Sequence, residues 1–269
     1  MSGRVESKVA FITGAARGQG RSHAIRLAEE GADIIAVDVL ADYPTVRYAM
    51  SSRADLDDTV RAVEALGRRI VAARADVRDA AALRATLDAG VAELGRLDIV
   101  CANAGIYTVQ SWDQVSPQVW QDTIDTNLTG VWNTMVAAVP HLIAAGGGSI
   151  IATSSTAGLK GMPFLAPYVA TKHAVVGICR SLANELASHH IRVNTVHPAG
   201  VDTPMVTGPE TLEPFVSRSP ELGAIFTNAL PGRALDPRDI SNAVLWLASE
   251  EARYVTGAAL TVDAGNTIR

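Results

Sequence analysis

The chain has 269 residues, 48% of them hydrophobic and 19% charged, with a net charge of -5, enough for one large α/β domain or two small ones. An acidic balance excludes binding to nucleic acid by broad phosphate neutralisation, which needs a basic face. No stretch approaches the roughly 20 apolar residues of a membrane span, and the polar start, Met1 to Lys8, meets an apolar run too short for a signal sequence, so a cytoplasmic location is expected.

Val9 to Ile12 is the first apolar run of strand length, and it ends in Thr13-Gly14-Ala15-Ala16-Arg17-Gly18-Gln19-Gly20. Helical periodicity starts at once, over Gly20 to Glu30. Glycines therefore fall where the backbone must turn sharply and admit a ligand closely. The helix start offers free N–H groups and a positive dipole end to a pyrophosphate. A second run, Ile34 to Val37, leads to Asp38, whose carboxylate can accept from the ribose hydroxyls of NAD and repel the 2′-phosphate of NADP. Arg17 pulls the other way, because a basic side chain in the turn can pair with that phosphate. Asp38 outweighs it, since its charge would lie against the phosphate with little screening, and NAD is expected.

Val39 to Ala54 breaks the rhythm before a helix over Leu56 to Leu66 and a strand over Ile70 to Ala73. Helices are then expected over Ala80 to Leu94, Val119 to Ala144, Ala166 to Ala187 and Pro237 to Ala248. Strands are expected over Ile99 to Ala102, Ile150 to Ala152, Ile191 to Val196 and Leu260 to Val262. Gly31, Gly67 and Gly95 follow three of the helices as stops. The strand runs do not alternate apolar with polar, as befits strands covered on both faces. The expected fold is a single α/β domain over 1–269, a doubly wound, Rossmann-type sheet of about seven parallel strands with helices on both faces. Cys101 and Cys179 lie far apart in apolar stretches and are expected to be buried free thiols.

Tyr168 and Lys172 stand four apart on one expected helix, which stacks them on one face. A free tyrosine titrates near 10 and is a poor base; a neighbouring ammonium and a cationic nicotinamide would lower that toward neutrality. Ser155 lies at the carboxyl end of a strand, where such folds bind ligands, and its hydroxyl can bond an oxygen on which charge develops. Ser154 is the rival. His173, His189, His190 and His197 show no ligand spacing and read as structural or solvated.

Gly14-x3-Gly18-x-Gly20 combined with Tyr168-x3-Lys172 closely resembles the short-chain dehydrogenase/reductase family, and the resemblance covers nearly the whole chain. Asp76-Val77, Asn103-Ala104-Gly105, Asn127, Ser155 and Thr203 match in order. By resemblance these contact adenine, support the sheet, relay protons, polarise the substrate and hold the nicotinamide amide. The resemblance implies catalysis by Asn127, Ser155, Tyr168 and Lys172. It implies that NAD is held by Gly14, Arg17, Gly18, Gln19, Gly20, Asp38, Asp76, Val77, Asn103, Ala104, Gly105, Tyr168, Lys172, Pro198, Val201 and Thr203. Ala102 and Ala199 depart from the family pattern, which often has Asn and Gly there.

The insertion 39–54 and the run Val196-His197-Pro198-Ala199-Gly200-Val201-Asp202-Thr203-Pro204-Met205 resemble the carveol-dehydrogenase-like, mycofactocin-associated branch. That branch implies an insertion covering the adenosine end of NAD, so that the cofactor stays bound and a separate redox carrier reoxidises it. The C-terminal Val255 to Gly265 resembles the family's subunit-contacting tail and implies a homotetramer.

Residues 204–235 should arch over the nicotinamide as a lid carrying Met205, Val206, Leu212, Phe215, Val216, Leu222, Ile225, Phe226 and Leu230. With Ile106, Tyr107, Leu159, Met162, Phe164 and Leu165, an apolar pocket for a terpenoid- or steroid-like alcohol or ketone is expected. The alternatives are a 3-ketoacyl-carrier-protein-type reductase, which Asp38 and the acidic charge disfavour, and a non-catalytic NAD-binding regulatory protein, which has no need of Ser155, Tyr168 and Lys172 together.

Overall fold

The computed structural model describes residues 3–207, 212–232 and 234–269. Seven parallel strands form one sheet, in the order β3-β2-β1-β4-β5-β6-β7: β1 Val9–Thr13, β2 Asp33–Asp38, β3 Ile70–Arg74, β4 Ile99–Ala102, β5 Gly148–Thr153, β6 Ile191–Pro198 and β7 Ala259–Val262. The order reverses between β1 and β4, where Ile12 lies beside Cys101. That switch point opens a crevice at the carboxyl ends of the strands.

Alternate strand residues feed two cores. Phe11, Ile35, Val100 and Ile150 face one side, with helices α3 (Ala80–Leu94), α5 (Gly130–Ala144) and α6 (Ala166–Glu185). Ile12, Ile34, Ile99 and Ile151 face the other, with α1 (Gly18–Glu29), α2 (Arg53–Glu64) and α9 (Pro237–Ala248). Burial on both faces is why the strand runs carry no polar alternation. Cys101 and Cys179 are buried free thiols, one in each core.

Local chemistry sets the helix ends. Ser52 and Asp55 form a reciprocal capping box at the start of α2, Asp79 caps α3 and Asp236 caps α9. The stop at Gly95 takes φ 92°, a left-handed value that glycine adopts without cost.

The helix expected over Val119 to Ala144 is interrupted. It runs as α4 (Pro117–Ile124), a π-helical turn over Asp125–Thr129, and then α5. Both Asn127 amide atoms are taken by the Ile106 backbone at 2.8 Å, and a β-carbon on Gly130 would collide with Val77. The extra residue in the turn lets both contacts form.

The expected lid holds short helical turns, α7 (Pro204–Thr207), α8 (Glu213–Val216) and a 3-10 helix over Pro220–Phe226; its positions 208–211 and 233 lie outside the described residues. Among the described residues no helix is long and apolar enough to cross a membrane.

Candidate active site

One cleft of about 350 Å³ runs from the glycine turn to the lid. At its floor Gly14 has φ 66°, and a β-carbon there would press on Ala104. A β-carbon on Gly20 would collide with the Gly14 carbonyl. The turn is thus closed against side chains and open to a ligand beside the first turn of α1. Gln19 lines the cleft with its buried Oε1 unpartnered among the described residues. Thr203 packs against Gly18 across the cleft mouth, and Pro198 and Val201 line the same wall.

Asp38 ends β2 with its side chain buried at the cleft edge. Its Oδ2 accepts from Ala16 N at 3.0 Å and its Oδ1 from the Ser51 hydroxyl at 2.5 Å. Arg17 reaches the insertion instead, donating to the Ala49 carbonyl at 2.5 Å. The insertion is therefore anchored by both residues that the sequence weighs for cofactor choice. Its Tyr43, Val46 and Tyr48 pack with Ile106, against Tyr107 and Met205.

Ala75 and Val77 line the cleft, whereas the Asp76 side chain does not. Its carboxylate borders a neighbouring cavity, where Arg78 grips it at 2.7 and 2.9 Å and holds it below the usual carboxylate range against the opposing cost of burial. Asn103 ties strand ends together, donating to Thr13 O at 3.0 Å and accepting from the Thr153 hydroxyl at 3.2 Å. Gly105 sits between the Asn127 amide and the Lys172 ammonium, both within 4 Å of where its β-carbon would be.

Helix α6 delivers Tyr168 and Lys172 to the cleft. Lys172 Nζ donates to Thr153 O at 2.7 Å and lies 5.4 Å from the Tyr168 ring centre. The Ser155 hydroxyl stands close enough to the Tyr168 phenol to lower its pKa, and its Oγ accepts from Ala157 N at 3.1 Å. The rival Ser154 turns its hydroxyl to the Lys172 carbonyl at 2.9 Å, which supports Ser155 as the one facing the phenol. Burial pushes Tyr168 up to about 12, opposed by the Ser155 hydroxyl, and pushes Lys172 down to about 8. In the protein alone, desolvation outweighs the ammonium, and the lowering expected from sequence does not arise from Lys172 by itself.

Sequence reasoning read His197 as structural or solvated and gave it no place beside Ser155. It is fully buried on β6, with Nδ1 2.7 Å from the Ser155 carbonyl oxygen and Nε2 2.7 Å from the Thr195 hydroxyl. A carbonyl only accepts, so Nδ1 carries the proton. Burial lowers the imidazole pKa, which keeps the ring neutral.

On the lid side Ile106, Tyr107, Met162, Leu165, Met205, Val206, Leu212 and Phe226 line the cleft. Phe164 and Phe215 do not; they pack on each other with ring centres 5.0 Å apart. The remaining expected lid residues also stay outside the lining.

The residues present fit a dinucleotide: a glycine cradle at a helix start, a carboxylate at the end of β2, and a buried lysine and a half-buried tyrosine beyond them. A family model described as Enoyl-(Acyl carrier protein) reductase matches residues 14–267. The (-)-trans-carveol dehydrogenase of Rhodococcus erythropolis is 52% identical over 99% of both chains. The crystal structure of a short chain dehydrogenase from Mycobacterium paratuberculosis bound to NAD superposes with TM-score 0.97 at 51% identity, covering 99% of this chain and 100% of that one. That of carveol dehydrogenase from Mycobacterium avium in complex with NAD gives 0.94 at 50% identity with the same coverage. The chain belongs to the short-chain dehydrogenase/reductase family.

Proposed function

We propose that this NAD-dependent oxidoreductase interconverts a hydrophobic secondary alcohol of terpenoid or steroid-like size and its ketone, with Tyr168 as acid/base. One observation carries the reading: the Tyr168 phenol, the Ser155 hydroxyl and the Lys172 ammonium meet where a dinucleotide cradle opens into an apolar cleft. NAD is the cofactor, as in the two related crystal structures. When bound it takes or gives the hydride and, oxidised, brings a positive charge.

In oxidation Tyr168 removes the alcohol proton, and Ser155 bonds the same oxygen as its charge changes. Lys172, protonated, favours the phenolate and holds the nicotinamide ribose; a phenol at about 12 needs that charge and the cofactor's own. Asn127 keeps Ile106 and the loop after β4 in place. The remaining cofactor contacts fall to the cradle, Asp38, Val77, Asn103 to Gly105, Pro198, Val201 and Thr203.

The insertion 39–54 serves as a cover that keeps NAD bound, to be reoxidised in place by a separate redox carrier, and 204–235 serves as the substrate lid. The clasps Ser51 to Asp38 and Arg17 to Ala49, and the packing of Tyr48 and Ile106 against Met205, support this. The working form is a homotetramer. An acyl-carrier-protein reductase is the weaker reading, because an acidic carrier would meet a chain of net charge -5. Heat-denaturing the purified protein without added nucleotide tests retention. Near-stoichiometric release of NAD or NADH supports it, an empty protein removes it, and NADP would overturn the role given to Asp38.

A further inference from the structure

We infer that Asn266 is a substrate-recognition residue, and that the substrate carries a second hydroxyl, remote from its reacting carbon, which donates to the Asn266 side chain. This rests on the alcohol/ketone reading of the cleft and narrows it to a substrate class.

Asn266 follows β7 in the C-terminal tail, is buried to 2% exposure and lines the cleft. Its Nδ2 donates to Thr227 O at 3.1 Å, so flipping the amide would set two acceptors face to face. The orientation is thereby fixed. Its Oδ1 is buried with no partner among the described residues. Buried acceptors are rarely left unpaired, because each forfeits its hydration without return.

The tail cannot swing to find a partner elsewhere. Lys160 Nζ donates to the Asn266 carbonyl at 2.5 Å and to Ile225 O at 2.8 Å. Asp263 accepts from Gly265 N at 3.0 Å and from Thr267 N at 2.8 Å. Of the other unpartnered buried atoms among the described residues, only Gln19 Oε1 and Thr126 Oγ1 belong to residues that line the cleft, at the glycine turn and within the π-helical turn. Asn266 is instead joined to the lid, through Thr227.

The chemistry of the missing partner follows from the surroundings. An amide oxygen accepts, so a ketone or carboxylate oxygen is repelled. Met162, Met205, Leu212 and Phe226 line the same cleft and disfavour an ammonium, whose charge they could not solvate. A neutral donor remains, which on an alcohol or ketone of this size is a second hydroxyl.

The test compares the NAD-loaded parent on matched pairs: a cyclohexanediol against cyclohexanol, a decalindiol against its mono-ol, and a steroid diol against its mono-ol. Dissociation constants are read by calorimetry alongside kcat/KM. At least one diol should exceed its mono-ol about tenfold in both, since leaving the acceptor unpaired penalises the mono-ol. Asn266→Leu should cut that ratio about tenfold. If no diol surpasses its mono-ol in the parent, water satisfies Oδ1 and the inference is overturned without any variant. A ratio that survives Asn266→Leu overturns it equally. A parent that turns over mono-ols without discrimination removes only the role of Asn266, whereas one that neither oxidises any of these alcohols nor reduces their ketones removes the alcohol/ketone reading with it.

Discussion

His197 Nδ1 lies 2.7 Å from the carbonyl oxygen of Ser155, and its other ring nitrogen is held by Thr195 at the same distance. The imidazole therefore braces the serine through its backbone, from a strand 42 residues further along the chain. His197→Leu fills the space without replacing either bond. It should lower kcat about 10- to 100-fold through a displaced Ser155 hydroxyl, with little change in the dissociation constant of NAD. Equal losses in kcat and NAD binding would point to general unfolding of the site instead.

Lys172 ties stability to pH. Its ammonium titrates near 8 in the fold against an ordinary value of 10.5, so between those values the unfolded chain holds more protons and stability climbs with pH. Below about 8 the whole cost of burying the charge is present. Lys172→Met removes the titrating group, so the nucleotide-free parent should gain on the variant by up to about 1.4 kcal/mol per pH unit across that window. Tyr168, raised from 10 to about 12, works in the opposite sense only above 10. Thermal melts of both proteins from neutral pH to about 10 check this, and parallel curves would refute it.

Asp38 is the residue expected to select the cofactor. Asp38→Asn keeps the shape but gives up the charge that accepts from ribose hydroxyls and repels a 2′-phosphate. NAD affinity should fall about 10-fold or more, and NADP affinity should rise. Titration with both nucleotides decides, and a parent that already prefers NADP would reverse the assignment.

Much of the fold was legible because its strands are buried on both faces, and runs such as Ile34 to Val37 carry that burial in their composition. Asp38 could be placed because it ends such a run. The π-helical turn at Asn127 was not legible, since one added residue barely alters the apolar spacing of Val119 to Ala144. The contacts of His197 and Asn266 could not be read because their partners are backbone carbonyls, Ser155 O and Thr227 O, which every residue type possesses. Asp76 was expected at the cleft, but Arg78 stands two residues away and captures its carboxylate. Arg17 likewise turns to the Ala49 carbonyl, a contact that exists only once the insertion has folded back.

Single-turnover hydride transfer tests the role of Tyr168 most directly. The NAD-loaded parent, mixed with an apolar secondary alcohol, should show nicotinamide reduction in one phase. Tyr168→Phe should bind NAD as the parent does and slow that phase by about 10²- to 10⁴-fold. A variant that reduces its NAD at the parent rate would contradict the assignment of Tyr168 as the proton-transfer residue.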